Sequence, residues 1–424
     1  MKRFILLLAA SMLAASMLAA SSASASEYFV NVARGKGKDG TKEKPAKDLG
    51  NLAAKLVDGD VVNVAEGNYL GRDESGTDEL GVSVSIIGGW NDDFSKRDPW
   101  GAHRTIFSGV SDYGKSGKVR LTINANKCAG PVVVDGIIFD NGPRNGYKDE
   151  AQTLISRQAN GAKNLNASPE SGGLSVKLGK GCEAIVKNNV VMNTAPTGAA
   201  LAVWGNENSK ARIENNLVIN NTGEGIWAYS LWKAKAGLPE FVIDHNTVLF
   251  NWKHDAIATY GGNSLKMDTE VKLTATNNVF AFGDYGGVDN IKLAKGITLK
   301  NNLFTGHRLY DYREFNTNVK VSELEDEADQ LVDSTGNVSK AIKVPMNEKW
   351  AALYAGRKEI SRAEVDAKAK ASNNGANALR GMLGLPLQAN AVGMDAEVWL
   401  HRMSVDDALK TGLEPYEGFG CKKP

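Results

Sequence analysis

Six times between Asp135 and Asn302 the chain repeats one short cadence: an alternation of β-branched or apolar residues, a pair of turn-forming residues, then two or three apolar residues. The pairs are Asp135-Gly136, Asn188-Asn189, Asn215-Asn216, His245-Asn246, Asn277-Asn278 and Asn301-Asn302. Their second members are separated by 53, 27, 30, 32 and 24 residues. A repeat of this size predicts stacked supersecondary units, each covering its apolar face with its neighbours, and so argues against a conventional globular core.

Aligned on these pairs, Pro131 to Phe139, Ala184 to Met192, Ala211 to Ile219, Phe241 to Leu249, Leu273 to Ala281 and Ile297 to Thr305 form one series. Period-two alternation then places Val133, Val186, Ile213, Ile243, Ala275 and Leu299 inward, and Lys187, Glu214, Asp244 and Lys300 outward. The second column of the pairs holds only Gly136 and Asn. These residues tolerate a left-handed backbone, so this column is expected to make a sharp bend between two strands. The first column is Asp or Asn in five rungs and His245 in the other. Its amides are expected to hydrogen-bond from rung to rung at about 4.8 Å.

With this ladder in place, the sequence resembles the right-handed parallel β-helix proteins of the pectate-lyase-like superfamily, over about Tyr28 to Gly306. The opening Tyr28-Phe29-Val30-Asn31-Val32, then Asp39-Gly40-Thr41, Pro45 and Gly59-Asp60-Val61-Val62-Asn63-Val64, is similar to the entry of secreted bacterial β-helix proteins. Ser85-Ile86-Ile87-Gly88-Gly89-Trp90 and Arg97-Asp98-Pro99 belong to the same pattern. The resemblance implies an all-β solenoid whose N-terminal end is capped by a short helix, within Leu49 to Gly67. It gives only a prior on the substrate.

Lys2-Arg3, the apolar stretch Phe4 to Ala20 and the small residues Ala23-Ser24-Ala25 read as an export signal over residues 1–25. The whole chain carries 50 basic and 49 acidic residues; without Lys2 and Arg3 the balance is 48 against 49, a charge of −1. Such a balance offers no single-sign surface for nucleic acid, and no later segment is apolar for long enough to span a membrane. Of three cysteines, Cys128 lies eight residues before Gly136 and Cys182 seven before Asn189. They occupy nearly equivalent places in their repeats: either they are bridged, as an exporting compartment permits, or they are two small buried residues in register. Cys421 is left over in both readings.

The period is interrupted between Asn141 and Gly173. Leu121 to Gly136 lines up with Leu174 to Asn189, so residues 143–171 read as a loop inserted into one rung. The β-helix is thus expected over residues 26–320. After Asn302 the cadence stops, and Asn347 to Ala371, Ala376 to Leu385 and Asp395 to Leu409 have helical composition. Residues 321–424 are therefore expected to form a helical cap, packed on the last rung or along the barrel.

A second strand aligns across four rungs, Ala200 to Trp204, Gly225 to Tyr229, Ala256 to Tyr260 and Gly287 to Ile291. With Leu201, Ile226, Ile257 and Val288 facing in, Trp204, Tyr229 and Tyr260 stack outward with Trp227 beside them. A row of rings at rung spacing suits the faces of sugars in an extended polysaccharide, unless the C-terminal helices or the inserted loop cover it. Glu224, Lys253-His254-Asp255 and Asp284-Tyr285 sit at the turns before these strands. Glu224, Asp255 and Asp284 could hold a divalent cation, and Lys253 or His254 could take a proton. Lyases of the resembled superfamily use a similar logic, in which Ca2+ or Arg neutralises a uronate while Lys, Arg or His removes the α-proton. In His307-Arg308-Leu309-Tyr310-Asp311-Tyr312-Arg313, Arg308 and Arg313 could bind a carboxylate and Tyr310 or Tyr312 act as acid, or the run could simply join the solenoid to its cap.

No stretch matches a characterised lyase or epimerase site residue by residue, and the paired-Asp pattern of polygalacturonase-type hydrolases is missing. Walker, Rossmann, zinc and nucleophile-elbow motifs are missing too, which leaves Ca2+ as the only cofactor the residues suggest. The expectation is an exported protein that binds an extracellular acidic polysaccharide, with lyase-type cleavage as its chemistry if it is an enzyme and epimerisation at the same site as runner-up. The alternative is a non-catalytic envelope or surface protein built on a stiff rod. Oligomeric state is left open.

Overall fold

The computed structural model describes residues 25–72, 76–108, 119–141, 172–194, 198–233, 236–252, 261–268, 270–307, 309–342, 344, 403–413 and 416–424. The expected export signal before residue 25, the expected insertion 143–171, the stretches of helical composition between 347 and 402, and Lys253, His254, Asp255, Tyr260 and Arg308 lie outside these residues. No helix among the described residues is long and apolar enough to cross a membrane.

The chain winds through three sheets of ten, nine and nine strands, giving a parallel β-helix. One coil shows the plan: Lys210–Glu214 lies in the first sheet, Leu217–Thr222 in the second and Glu224–Ser230 in the third. Each strand pairs in parallel with its equivalent one coil away. The antiparallel pairing of Tyr310–Glu314 with Thr317–Val319 closes the third sheet. Val, Ile, Leu and Phe from all three sheets fill the interior in stacks such as Val134, Val186, Ile213, Ile243, Ala275 and Leu299, all fully buried. Parallel strands need both faces covered or occupied, and the stacks cover the inner one.

The structure corrects the assignment of the two columns at the first corner. The left-handed residues are the first members of the pairs: Asn188, Asn215, His245, Asn277 and Asn301 have φ between 52° and 57°. Gly136, at φ 74°, shares their place, because Val134 and not Val133 stands in register with Val186. The second members carry the continuous buried ladder. Asn189 donates from Nδ2 to Val134 O at 2.9 Å and to Asn216 Oδ1 at 3.0 Å, and its Oδ1 accepts the Ile137 N–H. Asn216, Asn246, Asn278 and Asn302 repeat this pattern from coil to coil. A column of amides fits here because each side chain supplies the donor and acceptor that a fully buried corner would otherwise leave unmet.

The ladder also runs one step further than the sequence cadence. Asn302 N–H donates to Asn337 Oδ1 at 2.9 Å, and Gly336 before it has φ 72°. Gly336-Asn337 is thus a seventh pair. A partial outer ladder accompanies the inner one, with Asn215 Nδ2 on Asn188 Oδ1 at 2.7 Å and Asn188 Nδ2 on Asp135 Oδ1 at 2.8 Å.

Cys128 and Cys182 are joined by a disulfide with 5.7 Å between their Cα atoms. It closes the 54-residue separation that contains the inserted segment. Cys421 is a buried free thiol. At the N-terminal end the expected capping helix is a single 3-10 turn, Leu49–Asn51, started by the Asp48 carboxylate accepting the Asn51 N–H. Leu49, Leu52 and Leu56 cover the open end of the core.

The C-terminal segment packs along the barrel. Ser404 caps the helix Val405–Gly412, whose Ala408 and Leu409 sit on the outer face of the second sheet with Leu217, Ile219, Leu249 and Val279. Two corner asparagines treat this segment as a strand edge. Asn193 exchanges two hydrogen bonds with the Met403 backbone and Asn215 two with that of Lys422, at 2.7–3.0 Å. The helix thereby covers the outer face of the second sheet, while the outer face of the third carries the aromatic residues Trp204, Trp227 and Tyr229.

Candidate functional site

Three outward columns cross the third sheet. One runs through Lys177, Trp204, Tyr229 and Asp268, as the pairing register fixes. The next runs through Ala202, Trp227, Lys266, Asp289 and Arg313. Glu224, Asn263 and Tyr310 lie at the strand starts, beside the second corner. Small Ala202 beside Trp204, and alternation with buried Leu201, Ile226 and Leu265, let the rings stand off the sheet.

Trp204 and Tyr229 are in register as expected, and Trp227 lies beside them. The ring centroids are 4.4 Å apart for Trp204 and Tyr229, 5.3 Å for Trp204 and Trp227, and 5.5 Å for Trp227 and Tyr229. All three are partly exposed. Two ammonium groups approach this cluster, Lys177 Nζ at 5.7 Å from the Trp204 ring and Lys266 Nζ at 5.2 Å from that of Trp227. Such contacts favour a cation on the ring face; the Lys266 ammonium is also shared with the Glu224 carboxylate. Both indole Nε1 atoms are buried without a hydrogen-bond acceptor.

The third strand of the expected alignment is corrected, while the fourth keeps its place, Val288 pairing with Leu265. Ile226 pairs with Leu265 and Tyr229 with Asp268, so Asn263–Asp268 takes the place expected for Ala256 to Tyr260. The apolar alternation of residues 256–260 drew the alignment there; Leu265 and Met267 supply the same pattern eight residues on. Lys266 was missed for this reason. Lys177 was within reach, because Leu121 to Gly136 and Leu174 to Asn189 were already in register.

Glu224 is buried, and its carboxylate is taken up by partners. Lys266 Nζ lies 3.5 Å from Oε1, while the Asn263 N–H and Nδ2 donate to Oε2 at 3.1 and 2.9 Å. Burial raises its pKa, with Lys266 acting against the rise. Tyr310 donates to Asn263 Oδ1 at 2.7 Å and lies against Gly286, where a Cβ would meet the ring at 2.1 Å. Next to it, Arg313 grips Asp289 through Nε and Nη2 at 2.9 and 2.7 Å and stacks on Tyr285 and Tyr310. The result is one connected buried network from the aromatic cluster to the last coil. Asp284 is buried at its corner, its N–H on Asn251 O. Among the described residues no three His, Cys, Asp or Glu converge into a metal site.

The described residues of the run from His307 to Arg313, which leave out Arg308, are part of the scaffold. His307 is buried, with Nδ1 accepting the Gly283 N–H at 3.1 Å; burial lowers its pKa to about 3. Tyr310–Glu314 is the last parallel strand of the third sheet, and Tyr312 points into the core, donating to Glu314 at 3.1 Å. Burial raises the pKa of both tyrosines well beyond the range of a working acid.

No family model matches the chain, and no curated protein matches it. Among solved structures, a crystal structure of the pectate lyase Pel9A is similar at 14% identity, covering 75% of this chain and 78% of that one with a TM-score of 0.31. A structure of XylC in complex with xylose is similar at 10% identity over 68% and 70% of the two chains, with a TM-score of 0.23.

Proposed function

We propose that this is an exported protein that binds an acidic polysaccharide along the outer face of its third sheet. Trp204, Trp227 and Tyr229 stack on sugar rings, and Lys177 and Lys266 draw the carboxylates. The observation that carries this reading is the mutual contact of three part-exposed rings with two ammonium groups over them on one parallel face. The Cys128–Cys182 disulfide agrees with export to an oxidising compartment.

Lyase-type cleavage belongs to the same proposal through Lys253, His254 and Arg308. In sequence, Lys253 and His254 follow Thr247–Trp252, and Arg308 lies two residues before Tyr310–Glu314. Ca2+ would be held by Asp255 and Asp284, with Glu224 available only by giving up Lys266. The test is a panel of uronate polysaccharides, with and without Ca2+, read by retention and by ultraviolet absorbance of unsaturated products. Retention with absorbance supports a lyase, and retention alone a binding protein. No retention on any polymer contradicts the proposal and favours an envelope protein.

A further inference from the structure

The column that holds Trp204 and Tyr229 does not end with them. Asp268 pairs with Tyr229, and because Lys266 pairs with Asp289, Asp268 lies beside Ile291. Asn290 pairs with Glu314, and the following Phe315 N–H donates to Asn290 O at 3.3 Å, which sets Phe315 beside Ile291. The outward column therefore reads Lys177, Trp204, Tyr229, Asp268, Ile291, Phe315. Four rung steps of about 4.8 Å separate Trp204 from Phe315, about 19 Å.

Phe315 is unusual in two ways at once. It is 53% exposed, the largest exposure of any aromatic among the exposed large hydrophobics, and its φ is 53°. A bulky residue in the left-handed region is strained, and Gly or Asn would relieve that strain at an exposed turn. Leu293 repeats the anomaly beside it: 39% exposed, φ 55°, its N–H on the same Asn290 carbonyl. Packing cannot account for either side chain, since neither is buried. Lys292 and Lys295 flank Leu293, are exposed, and make no ion pair among the described residues. Strain retained at two exposed apolar residues, next to unpaired positive charge and in register with an aromatic platform, is the pattern of a ligand contact.

We propose that Phe315 and Leu293, with Lys292 and Lys295, form a second contact patch for the polysaccharide, reached by the same chain that stacks on Trp204 and Tyr229. The ligand then lies along the solenoid axis, and only oligomers long enough to bridge the two patches bind at full strength. This inference rests on the reading of the Trp204 face as a glycan-binding surface. Lys292 and Lys295 make the patch suited to a polyanion, and Asp268 between the patches is the one acid in the column.

The test uses the full chain and graded oligomers prepared from polygalacturonate and from alginate, titrated calorimetrically. Wild type is expected to gain affinity abruptly once an oligomer spans about 19 Å. Phe315→Gly should remove that gain, weakening long oligomers about fivefold and leaving short ones unchanged. Its melting temperature should stay level or rise, because glycine adopts the left-handed turn without strain. A residue with a merely structural role would show the reverse, lost stability and an unchanged length dependence. Trp204→Ala/Trp227→Ala should weaken short and long oligomers alike. A wild type that binds neither series overturns the glycan-face reading and this inference with it. A wild type whose binding needs Trp204 and Trp227 but is matched by Phe315→Gly at every length overturns the second patch alone.

Discussion

The first corner and the third sheet of this solenoid are built from the same coils, yet they treat polar groups in opposite ways. At the corner, Asn189, Asn216, Asn246, Asn278 and Asn302 are fully buried and every amide is hydrogen-bonded on both sides. On the third sheet and at the corner leading to it, buried polar atoms of Trp204, Trp227, Ser264, Asn251 and His307 lack partners. A satisfied column specifies one register and adds rigidity, whereas orphaned groups cost stability and persist where something else requires them. The difference separates a region that holds the fold from the one proposed to meet a ligand.

The sharpest way to break this comparison is to cut the ladder. Asn246→Ala leaves the Asn216 N–H and Ile213 carbonyl without partners in a dry corner. The expected loss is about 4–5 kcal/mol in urea unfolding, with glycan affinity per folded molecule unchanged. A loss under about 1 kcal/mol would mean that the ladder is ornamental.

Replacing Cys128 and Cys182 with Ser should cost about 4 kcal/mol, the loop-closure entropy for the 54-residue separation. The third-sheet side has its own pH signature. His307 is neutral when folded, with a pKa near 3, and near 6.5 when unfolded. The unfolded chain therefore binds more protons between these values, and stability falls as pH drops through that window. Between pH 7 and 4 the loss is on the order of 3 kcal/mol. His307→Asn keeps an acceptor for the Gly283 N–H and should flatten that part of the stability profile; an unchanged profile would assign the acid sensitivity elsewhere. The smallest effect concerns Asp268, whose charge opposes a uronate. Asp268→Asn should tighten polyuronate binding about two- to threefold at low salt and less at high salt, and unchanged affinity would place the glycan off this column.

The repeat was legible because it is dictated by backbone chemistry: a buried corner between parallel strands needs a left-handed residue and a side-chain amide in succession. Which column did which was not, because Asn serves both needs and Asp135-Gly136 mimics a pair while sitting one residue out of step. Gly336-Asn337 escaped notice because glycine took the first place where asparagine had stood. At the site, Trp204, Trp227 and Tyr229 could be aligned from the strands that carry them, but the next strand could not. Residues 256–260 and 263–268 both alternate, and only pairing of Leu265 with Ile226 decides between them. The carboxylate of Glu224 could be seen in the sequence; that Lys266 would be its partner could not, since the pairing depends on that same register.

The most direct test of the account is polyuronate affinity measured for Trp204→Ala/Trp227→Ala beside wild type, with melting temperatures taken on the same samples. The account predicts at least a tenfold weaker affinity, with the melting temperature shifted by only a few degrees, since the rings are part-exposed and outside the core. A variant that binds as tightly as wild type, or a wild type that binds no polyuronate, would contradict it.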